Sequence, residues 1–184
     1  MILKVITSNL GKVIEYREAL KPFGIDAEHM SMPYDEVQSS RLEDVVIRGM
    51  EHLRALGLTD FIIDDSGMFI GALGGFPGVY SAYVQKTIGN AGILKLMENV
   101  NEREAEFQCC IGCSIKDKDI IVTGRCIGII LKKETGNEGF GYDPIFSSDG
   151  KRSLAEMPLS KKNSVSHRGN AIRLLMKDVE KACR

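Results

Sequence analysis

The order of apolar and polar positions predicts strands and helices in turn along the first part of the chain. Ile2 to Thr7 is a short apolar run that ends in a polar turn, which is typical of a buried strand. Lys12 to Lys21 follows with apolar residues at helical spacing, and Pro22 stops the pattern. Ile25 to Met30 is a second strand-like run. The chain therefore opens with a predicted strand, loop, helix and strand.

A second helix is predicted from about position 42. Ser40-Arg41-Leu42-Glu43 has the spacing of a capping box, in which a serine and a glutamate satisfy each other's backbone amides. Gly57 is expected to end the helix as its C-terminal cap. Its apolar face is predicted to contain Leu42, Val45, Val46, Gly49, Met50 and Leu53.

Two carboxylates directly follow the next apolar run. Phe61-Ile62-Ile63 is a candidate buried strand, and it leads straight into Asp64-Asp65-Ser66-Gly67. We expect these acids at the carboxyl end of the strand, which is where ligands bind in open α/β sheets. The glycines of Gly74 to Gly78 predict a loop, and Ile88 to Met97 predicts a helix.

The second half of the chain has the pattern of long strands. Ala105 to Ile115 alternates strictly between apolar and more polar residues, which predicts a half-buried strand. After the polar turn Lys116 to Asp119, Ile120 to Leu131 predicts a second long strand, so the two are expected to form a hairpin. Ser166 to Ala182 predicts a closing helix. One side of that helix contains Ile172, Leu175, Val179 and Ala182.

Together these elements predict an α/β fold. The sequence has no internal repeat, low-complexity segment or long linker. We therefore expect residues 1–184 to form a single domain, in which two lobes share one continuous sheet.

Charge and cysteine content narrow the classes of function. Of the 184 residues, 24 are Lys or Arg and 25 are Asp or Glu, so the formal net charge is −1. This balance argues against a nucleic-acid partner, which would require a basic surplus. The five cysteines show no paired metal-ligand spacing, which fits reduced thiols in a cytoplasmic protein. No apolar run approaches the roughly 20 residues that cross a bilayer, and no signal peptide is recognisable, so no membrane partner is expected.

The segment Thr7-Ser8-Asn9-Leu10-Gly11-Lys12 is a candidate anion site. It lies between a predicted strand and a predicted helix, where free backbone amides and one lysine could hold phosphate. It is not a Walker A loop, because the earlier glycine is missing and Val13 follows the Gly-Lys pair. The alternative is that Ser8 or Asn9 only caps the helix.

A candidate metal site contains Asp35, Glu36, Asp64 and Asp65. Two short acidic loops could hold one magnesium ion, which usually binds one or two protein carboxylates together with phosphate oxygens and water. A carboxylate that the metal does not fully occupy could take a proton from a water molecule. The alternative is that all four are solvated loop acids.

Two further segments could recognise a nucleotide. Gly139 to Pro144 contains Phe140 between glycines, where a base could stack, although such a segment could also be only an aromatic turn. Lys161 to Arg168 brings lysines, His167 and Arg168 together near the start of a predicted helix. Such donors can hold a phosphate or an oxo group, and the alternative is a solvated basic face.

These segments, in this order, resemble the inosine triphosphate pyrophosphatase family over nearly the whole chain, and archaeal members most closely. The matching motifs are Thr7-Ser8-Asn9 with Lys12, Asp64 to Gly67, Gly75 to Ser81, Gly139 to Pro144, and Ala155 to Met157 through Lys162 to Arg168. The resemblance implies an enzyme that hydrolyses non-standard purine nucleoside triphosphates (ITP, dITP, XTP) to the monophosphate and pyrophosphate. It also implies an elongated mixed α/β fold with a long twisted central sheet, an active cleft between two lobes, and a homodimer.

The resemblance also assigns roles to individual residues. Asp65 would be the catalytic acceptor of a proton from the attacking water, and Glu36 and Asp65 would hold Mg²⁺ as the cofactor. The residues implied to bind the substrate are Thr7, Ser8, Asn9, Lys12, Ser66, Phe140, Gly141, Tyr142, Asp143, Lys162, His167 and Arg168. Because Lys162 and Arg168 are donors only, they suit the 6-oxo group of hypoxanthine or xanthine rather than the 6-amino group of adenine.

The chain departs from the family pattern at two places. Bacterial members often carry Lys-Ala where this chain has Arg48-Gly49-Met50, and many members place an arginine before the second tyrosine of Tyr80-Ser81-Ala82-Tyr83. Each departure affects one basic phosphate contact that the resemblance implies, and Arg48 or Lys86 could replace it. Two other classes stay open: a pyrophosphatase of the septum-formation-inhibitor type that acts on modified pyrimidine nucleotides, and a nucleotide sensor without turnover.

Overall fold

The computed structural model describes residues 1–34, 37–116 and 118–182, and this part of the chain contains seven strands and six α-helices. The strands are β1 (Ile2–Ile6), β2 (Asp26–Met30), β3 (Phe61–Ile70), β4 (Pro77–Gly78), β5 (Glu104–Ile115), β6 (Lys118–Ile130) and β7 (Phe146–Ser147). The helices are α1 (Leu10–Leu20), α2 (Leu42–Ala55), α3 (Ser81–Thr87), α4 (Gly89–Leu96), α5 (Leu159–Val165) and α6 (His167–Ala182). The α/β class is confirmed.

One mixed sheet connects the two halves of the chain. Its order is β2-β1-β3-β5-β6-β7, and β4 pairs with β3 outside this path. The β2, β1 and β3 strands are parallel, whereas β5, β6 and β7 continue the sheet in antiparallel pairs. The predicted hairpin of β5 and β6 is confirmed.

The prediction that Asp64 and Asp65 lie at the carboxyl end of their strand is wrong. They lie inside β3, because β5 pairs with β3 along its whole length to Ile70. The parallel part of the sheet nevertheless ends beside them, since β1 pairs with β3 only at Phe61 and Ile62 and then turns away after Ile6. Beyond Ile62, β3 therefore continues without β1 along that edge, beside Asp64 and Asp65.

Helices cover both faces of the central strands. On one face, α1 and α6 pack on β1, β3 and β5 through side chains such as Tyr16, Leu175 and Ile111. On the other face, α2 packs on Ile63 and Cys110. The predicted half-buried character of β5 is therefore wrong from Cys109 onward, where both faces are covered.

The predicted face of α2 is confirmed, since all six apolar residues are buried. The predicted capping box does not form. Arg41 is the N-cap and makes no side-chain capping bond, while Ser39 accepts a hydrogen bond from the Arg41 amide and donates one to Asp44. Gly57 follows the helix with a φ of 80°, a left-handed conformation that suits glycine.

Four shorter elements were not predicted from the sequence, namely β4, α3, α5 and β7. Each has seven residues or fewer, which is too short for a periodic pattern to be distinctive. In α6 the predicted face is confirmed at Ile172, Leu175 and Val179, and the side chain of Ala182 lies outside the described residues. Among the described residues, none of the helices combines the length and apolar character that a membrane span requires.

Candidate active site

In the loop between β1 and α1, Asn9 is the N-cap of the helix. Its side-chain oxygen accepts hydrogen bonds from the amides of Gly11 at 2.9 Å and Lys12 at 3.4 Å. The Thr7 hydroxyl in turn accepts a bond from the Asn9 amide at 3.1 Å. Two amides of the first helical turn are thus used inside the loop, which holds the backbone at Lys12.

Lys12 reaches across to β3. Its Nζ lies 3.1 Å from Asp64 Oδ2 and also donates to the Asp64 carbonyl oxygen at 3.1 Å. Asp64 is almost fully buried, and the Cys109 thiol donates to the same carboxylate at 3.4 Å. The Asp64 carboxylate is therefore the partner of two cations and one thiol.

Arg168, at the start of α6, is the most buried charged residue of the site. Its Nε and Nη2 donate to Asp64 Oδ2 at 3.2 and 3.0 Å, and its Nη1 donates to Glu15 Oε2 at 2.5 Å. Nη2 also donates to the Ser66 hydroxyl at 3.1 Å. Four N–H groups of the guanidinium are thereby held in fixed directions.

Glu15 also holds the second buried cation, Lys162. The Lys162 ammonium lies 2.5 Å from Glu15 Oε1 and 2.5 Å from Asp143 Oδ2. The three acids and three cations form one network, which we call the buried charge network. Its members are Lys12, Glu15, Asp64, Asp143, Lys162 and Arg168.

The pKa values of the three acids follow from how many cations each one faces. Burial alone would raise the pKa of Asp64, but Lys12 and Arg168 lower it to about 2. The pKa of Glu15 is lowered in the same way, because Arg168 and Lys162 outweigh its burial. Asp143 faces only Lys162, so burial prevails and its pKa is raised.

The Gly139 to Pro144 segment places one aromatic ring against the network. The Phe140 ring lies 4.8 Å from Lys162 Nζ and 5.9 Å from Arg168 Cζ, within range of cation–π attraction. Asp143 Oδ2 accepts a bond from the Phe140 amide at 2.8 Å. The ring also covers Gly11, where a Cβ atom would collide with it. Glycine at position 11 therefore lets this segment close on the Thr7 to Lys12 loop.

The rest of the same segment is anchored by its backbone and by the core. Gln85 and Asn90 both donate to the Gly141 carbonyl oxygen at 3.2 Å. The Tyr142 hydroxyl donates to the Ser81 carbonyl oxygen at 2.9 Å and is buried. Tyr142 thus contributes mainly to packing, while Phe140 presents its ring to the site.

The interpretation of Lys162, His167 and Arg168 as a solvated basic face is wrong. Their exposed fractions are 3%, 5% and 1%. His167 stacks on Phe107 with ring centroids 4.6 Å apart, and no hydrogen-bond partner for its Nδ1 occurs in the described part of the chain. Burial and the nearby Arg168 and Lys162 charges hold the pKa of His167 well below its usual value, so the imidazole is neutral.

Two adjoining cavities meet at these residues. The larger has a volume of about 1160 Å³ and is lined by Thr7, Ser8, Asn9, Lys12, Asp65 and Lys86, among others. The smaller, about 330 Å³, is lined by Phe140, Gly141, Tyr142, Asp143, Lys162, His167, Arg168 and Ser66, among others. Both walls include Asn9, Lys12, Asp65, Ala82 and Lys86, which therefore mark the junction between the cavities.

Asp65 lies at this junction, and its Oδ1 accepts a hydrogen bond from the Ser66 amide at 2.9 Å. The other predicted metal ligand, Glu36, lies outside the described residues, as does Asp35. Within residues 1–34, 37–116 and 118–182, no three His, Cys, Asp or Glu side chains are grouped as a metal would require.

Arg48 and Lys86, the two candidates to replace a basic phosphate contact, lie in different surroundings. Arg48 is 56% exposed at its side chain, pairs with Glu51 at 3.0 Å and lines neither cavity. Lys86 lines both cavities.

The sequence did not predict Glu15 and Phe107 as residues of the site. The position of Glu15 did carry a signal. It lies three residues after Lys12 and directly before Tyr16, which places this acid near the buried side of an amphipathic helix.

Comparison with known proteins places the chain in one family. The model of the Ham1 family matches residues 3–178. A dITP/XTP pyrophosphatase of Pyrococcus horikoshii is 47% identical over 169 residues, covering 91% of each chain. One of Thermococcus kodakarensis is 45% identical over 175 residues, covering 94% of each chain.

Solved structures of similar proteins cover almost the entire fold. The Staphylococcus aureus Ham1 protein superposes with a TM-score of 0.81 at 28% identity, covering 99% of this chain and all of that one. A HAM1 protein from Coxiella burnetii has a TM-score of 0.79 at 30% identity, covering 97% and 99% of the two chains. The family resemblance expected from the motifs is thus confirmed, and the chain belongs to the Ham1 family.

Proposed function

We propose that this protein hydrolyses the non-standard purine nucleoside triphosphates ITP, dITP and XTP to the monophosphate and pyrophosphate. The observation that carries the proposal is the junction of the two cavities, where Asp65 lies between a small pocket with buried donors and a larger one whose wall includes Thr7, Ser8 and Asn9. The names of the Pyrococcus and Thermococcus relatives support the same activity.

The smaller cavity suits a 6-oxopurine. Phe140 offers a ring for stacking, and Lys162 and Arg168 offer only donors. Lys162 donates one hydrogen bond to Asp143 and is ion-paired with Glu15, and Arg168 uses four of its five N–H groups, so at least one N–H remains on each cation. Since Glu15 and Asp64 prevent both cations from turning away, a 6-amino group would face donors without a partner.

The larger cavity suits the triphosphate. Thr7, Ser8 and Asn9 line it with polar groups at the start of α1, whose dipole favours an anion. Lys12 donates to the Asp64 carbonyl oxygen and is ion-paired with its carboxylate, and we propose that a further N–H of its ammonium binds a phosphate oxygen. A nucleotide bound across both cavities would have its α-phosphate at the junction, beside Asp65.

The residues at the junction fit a magnesium ion. Asp64 is paired with Lys12 and Arg168, and Asp65 lines both cavities. We therefore assign the metal to Asp65, since Mg²⁺ usually takes one or two carboxylates from a protein. Glu36 would be the second ligand. When bound, Mg²⁺ would neutralise phosphate charge and make the phosphorus more electrophilic.

Asp65 is proposed to act as the general base. The Ser66 amide donates to one carboxylate oxygen, and Asp65 lines both cavities at their junction. Asp65 would accept a proton from the water whose oxygen attacks the α-phosphorus. The bond from the α-phosphorus to the bridging oxygen then breaks, and pyrophosphate leaves with its charge held by Lys12.

The test is release of pyrophosphate and monophosphate from ITP, XTP, ATP and GTP, each with Mg²⁺ and with a chelator. We expect Mg²⁺-dependent release from ITP and XTP, and much less from ATP and GTP. Binding without release would favour the sensor alternative. Release of orthophosphate alone would mean attack at the terminal phosphate and would contradict the proposed position of Asp65.

We also propose that the protein forms a homodimer. The two lobes and the cytoplasmic location expected from the sequence are part of the same proposal. The support for a dimer is a group of exposed apolar side chains between positions 76 and 88, namely Phe76, Tyr80, Tyr83 and Ile88. Light scattering on the purified chain tests it, and a monomer at all concentrations would contradict it.

A further inference from the structure

The buried charge network is formally neutral, although it surrounds the place where a polyanion is expected to bind. Lys12, Lys162 and Arg168 are each paired with acids of the network, so three cations face three acids. A nucleoside triphosphate carries several negative charges. Cations already committed to buried carboxylates offer it directed hydrogen bonds but little surplus charge.

Lys86 differs from these cations. It is exposed, and no carboxylate of the described residues lies within 4 Å of its ammonium. Among the described residues of the larger cavity wall, Lys12 and Lys86 are the two basic side chains, and Lys12 is paired with Asp64. Lys86 is therefore the basic side chain of that wall whose charge is not balanced by an acid in the described structure.

The position of Lys86 on α3 brings its charge to the junction. Ala82 and Lys86 are four residues apart on α3 and so share one helix face. Both line the larger and the smaller cavity, as Asp65 does. The small Ala82 side chain leaves space on this face, and the flexible lysine stem one turn later can extend into it.

We propose that Lys86 binds the phosphate chain of the substrate at the junction of the two cavities and supplies the positive charge that the buried network lacks. This inference rests on the proposed nucleotide function and adds a binding residue to it. Lys86 acts on the phosphates and not on the base. Removal of the Lys86 ammonium is therefore expected to weaken the binding of all nucleoside triphosphates by the same factor, whatever their base. The preference among bases stays unchanged.

The experiment measures binding apart from turnover. Calorimetry with the α,β-methylene analogue of ITP and Mg²⁺ compares the wild type with Lys86→Gln and Lys86→Arg, and Arg48→Gln is the matched control. We expect Lys86→Gln to bind about ten- to one-hundred-fold more weakly, Lys86→Arg to recover most of the affinity, and Arg48→Gln to match the wild type. Inosine, which lacks phosphates, is expected to bind all four proteins equally.

Steady-state rates supply a second readout. We expect Lys86→Gln to lower kcat/KM for ITP and for ATP by the same factor. Wild-type affinity for the analogue in Lys86→Gln, or an equal loss in Arg48→Gln, would overturn the inference while the proposed function stands. A wild-type chain that neither binds the analogue nor hydrolyses ITP would instead overturn the proposed function.

Discussion

Asp64 and Asp65 are neighbours in β3, yet their carboxylates have different partners. Successive strand residues point to opposite faces of a sheet. The Asp64 carboxylate lies 3.1 Å from Lys12 Nζ and 3.0 Å from Arg168 Nη2, whereas Asp65 lines both cavities and accepts a bond from the Ser66 amide. This alternation predicts that the same substitution at the two positions affects different properties.

Asp65→Asn is expected to keep the fold and lose turnover. The amide can still accept the Ser66 hydrogen bond but cannot take a proton from water. We expect kcat for ITP to fall about 10²- to 10⁴-fold, the usual contribution of a general base, while the thermal unfolding midpoint stays close to that of the wild type. A variant that retains near-normal kcat would refute the assigned role.

Asp64→Asn is expected to lower the free energy of unfolding. It leaves Lys12 and Arg168 without their shared buried partner, and breaking a buried ion pair typically costs about 3–5 kcal/mol. Urea unfolding of the variant measures this change. Asp178→Asn is the control, because Asp178 pairs with Lys181 on the surface and its loss is expected to cost less than about 1 kcal/mol. Equal losses in both variants would contradict the importance of burial.

Arg168→Lys is expected to reduce selectivity for the 6-oxo group. Lysine keeps the charge but has three donors instead of five, so it cannot satisfy Asp64 and Glu15 and still present a directed donor to the base. We expect the ratio of kcat/KM for ITP to that for ATP to fall about tenfold. Arg173→Lys, on the same helix but bonded to the Asn163 and Ser164 carbonyls, is expected to leave the ratio unchanged.

Stability is expected to decrease in mildly acidic solution because of His167. The pKa of His167 is lowered in the folded protein. As the pH falls, the unfolded chain therefore binds the proton first. The contribution of the neutral imidazole to stability is complete only above the unfolded pKa of about 6.5. One unit below that value the loss is about 1 kcal/mol. Urea unfolding at pH 7.5 and 5.5 should show this loss in the wild type and a smaller one in His167→Asn. The same decrease in both proteins would argue against His167 as its source.

A separate loss is expected in stronger acid. Because the pKa of Asp64 is lowered to about 2, its contribution is complete above the unfolded value near 4 and disappears as the pH falls toward 2. The two windows can therefore be distinguished by the pH at which stability changes.

Local patterns were informative where burial follows a regular spacing. The six apolar residues of α2 were all identified, because a helix buries one face and a 3.6-residue period records that face in the sequence. The capping box at Ser40 failed because Ser39 provides the hydrogen bonds instead, a choice between neighbours that spacing alone does not decide. The solvated interpretation of Lys162 and Arg168 failed because charged residues are usually exposed, and only their acidic partners make burial tolerable.

By itself, the sequence determined the long periodic elements and the order of the motifs, and these were enough to predict the α/β class and the family. Only the tertiary structure decided which charges are paired. Arg168 meets Glu15 across 153 positions of sequence and Asp64 across 104. Such pairs leave no local period, because they depend on how α1, β3 and α6 pack together. The partners of Asp64, the burial of His167 and the position of Lys86 at the junction follow from that packing.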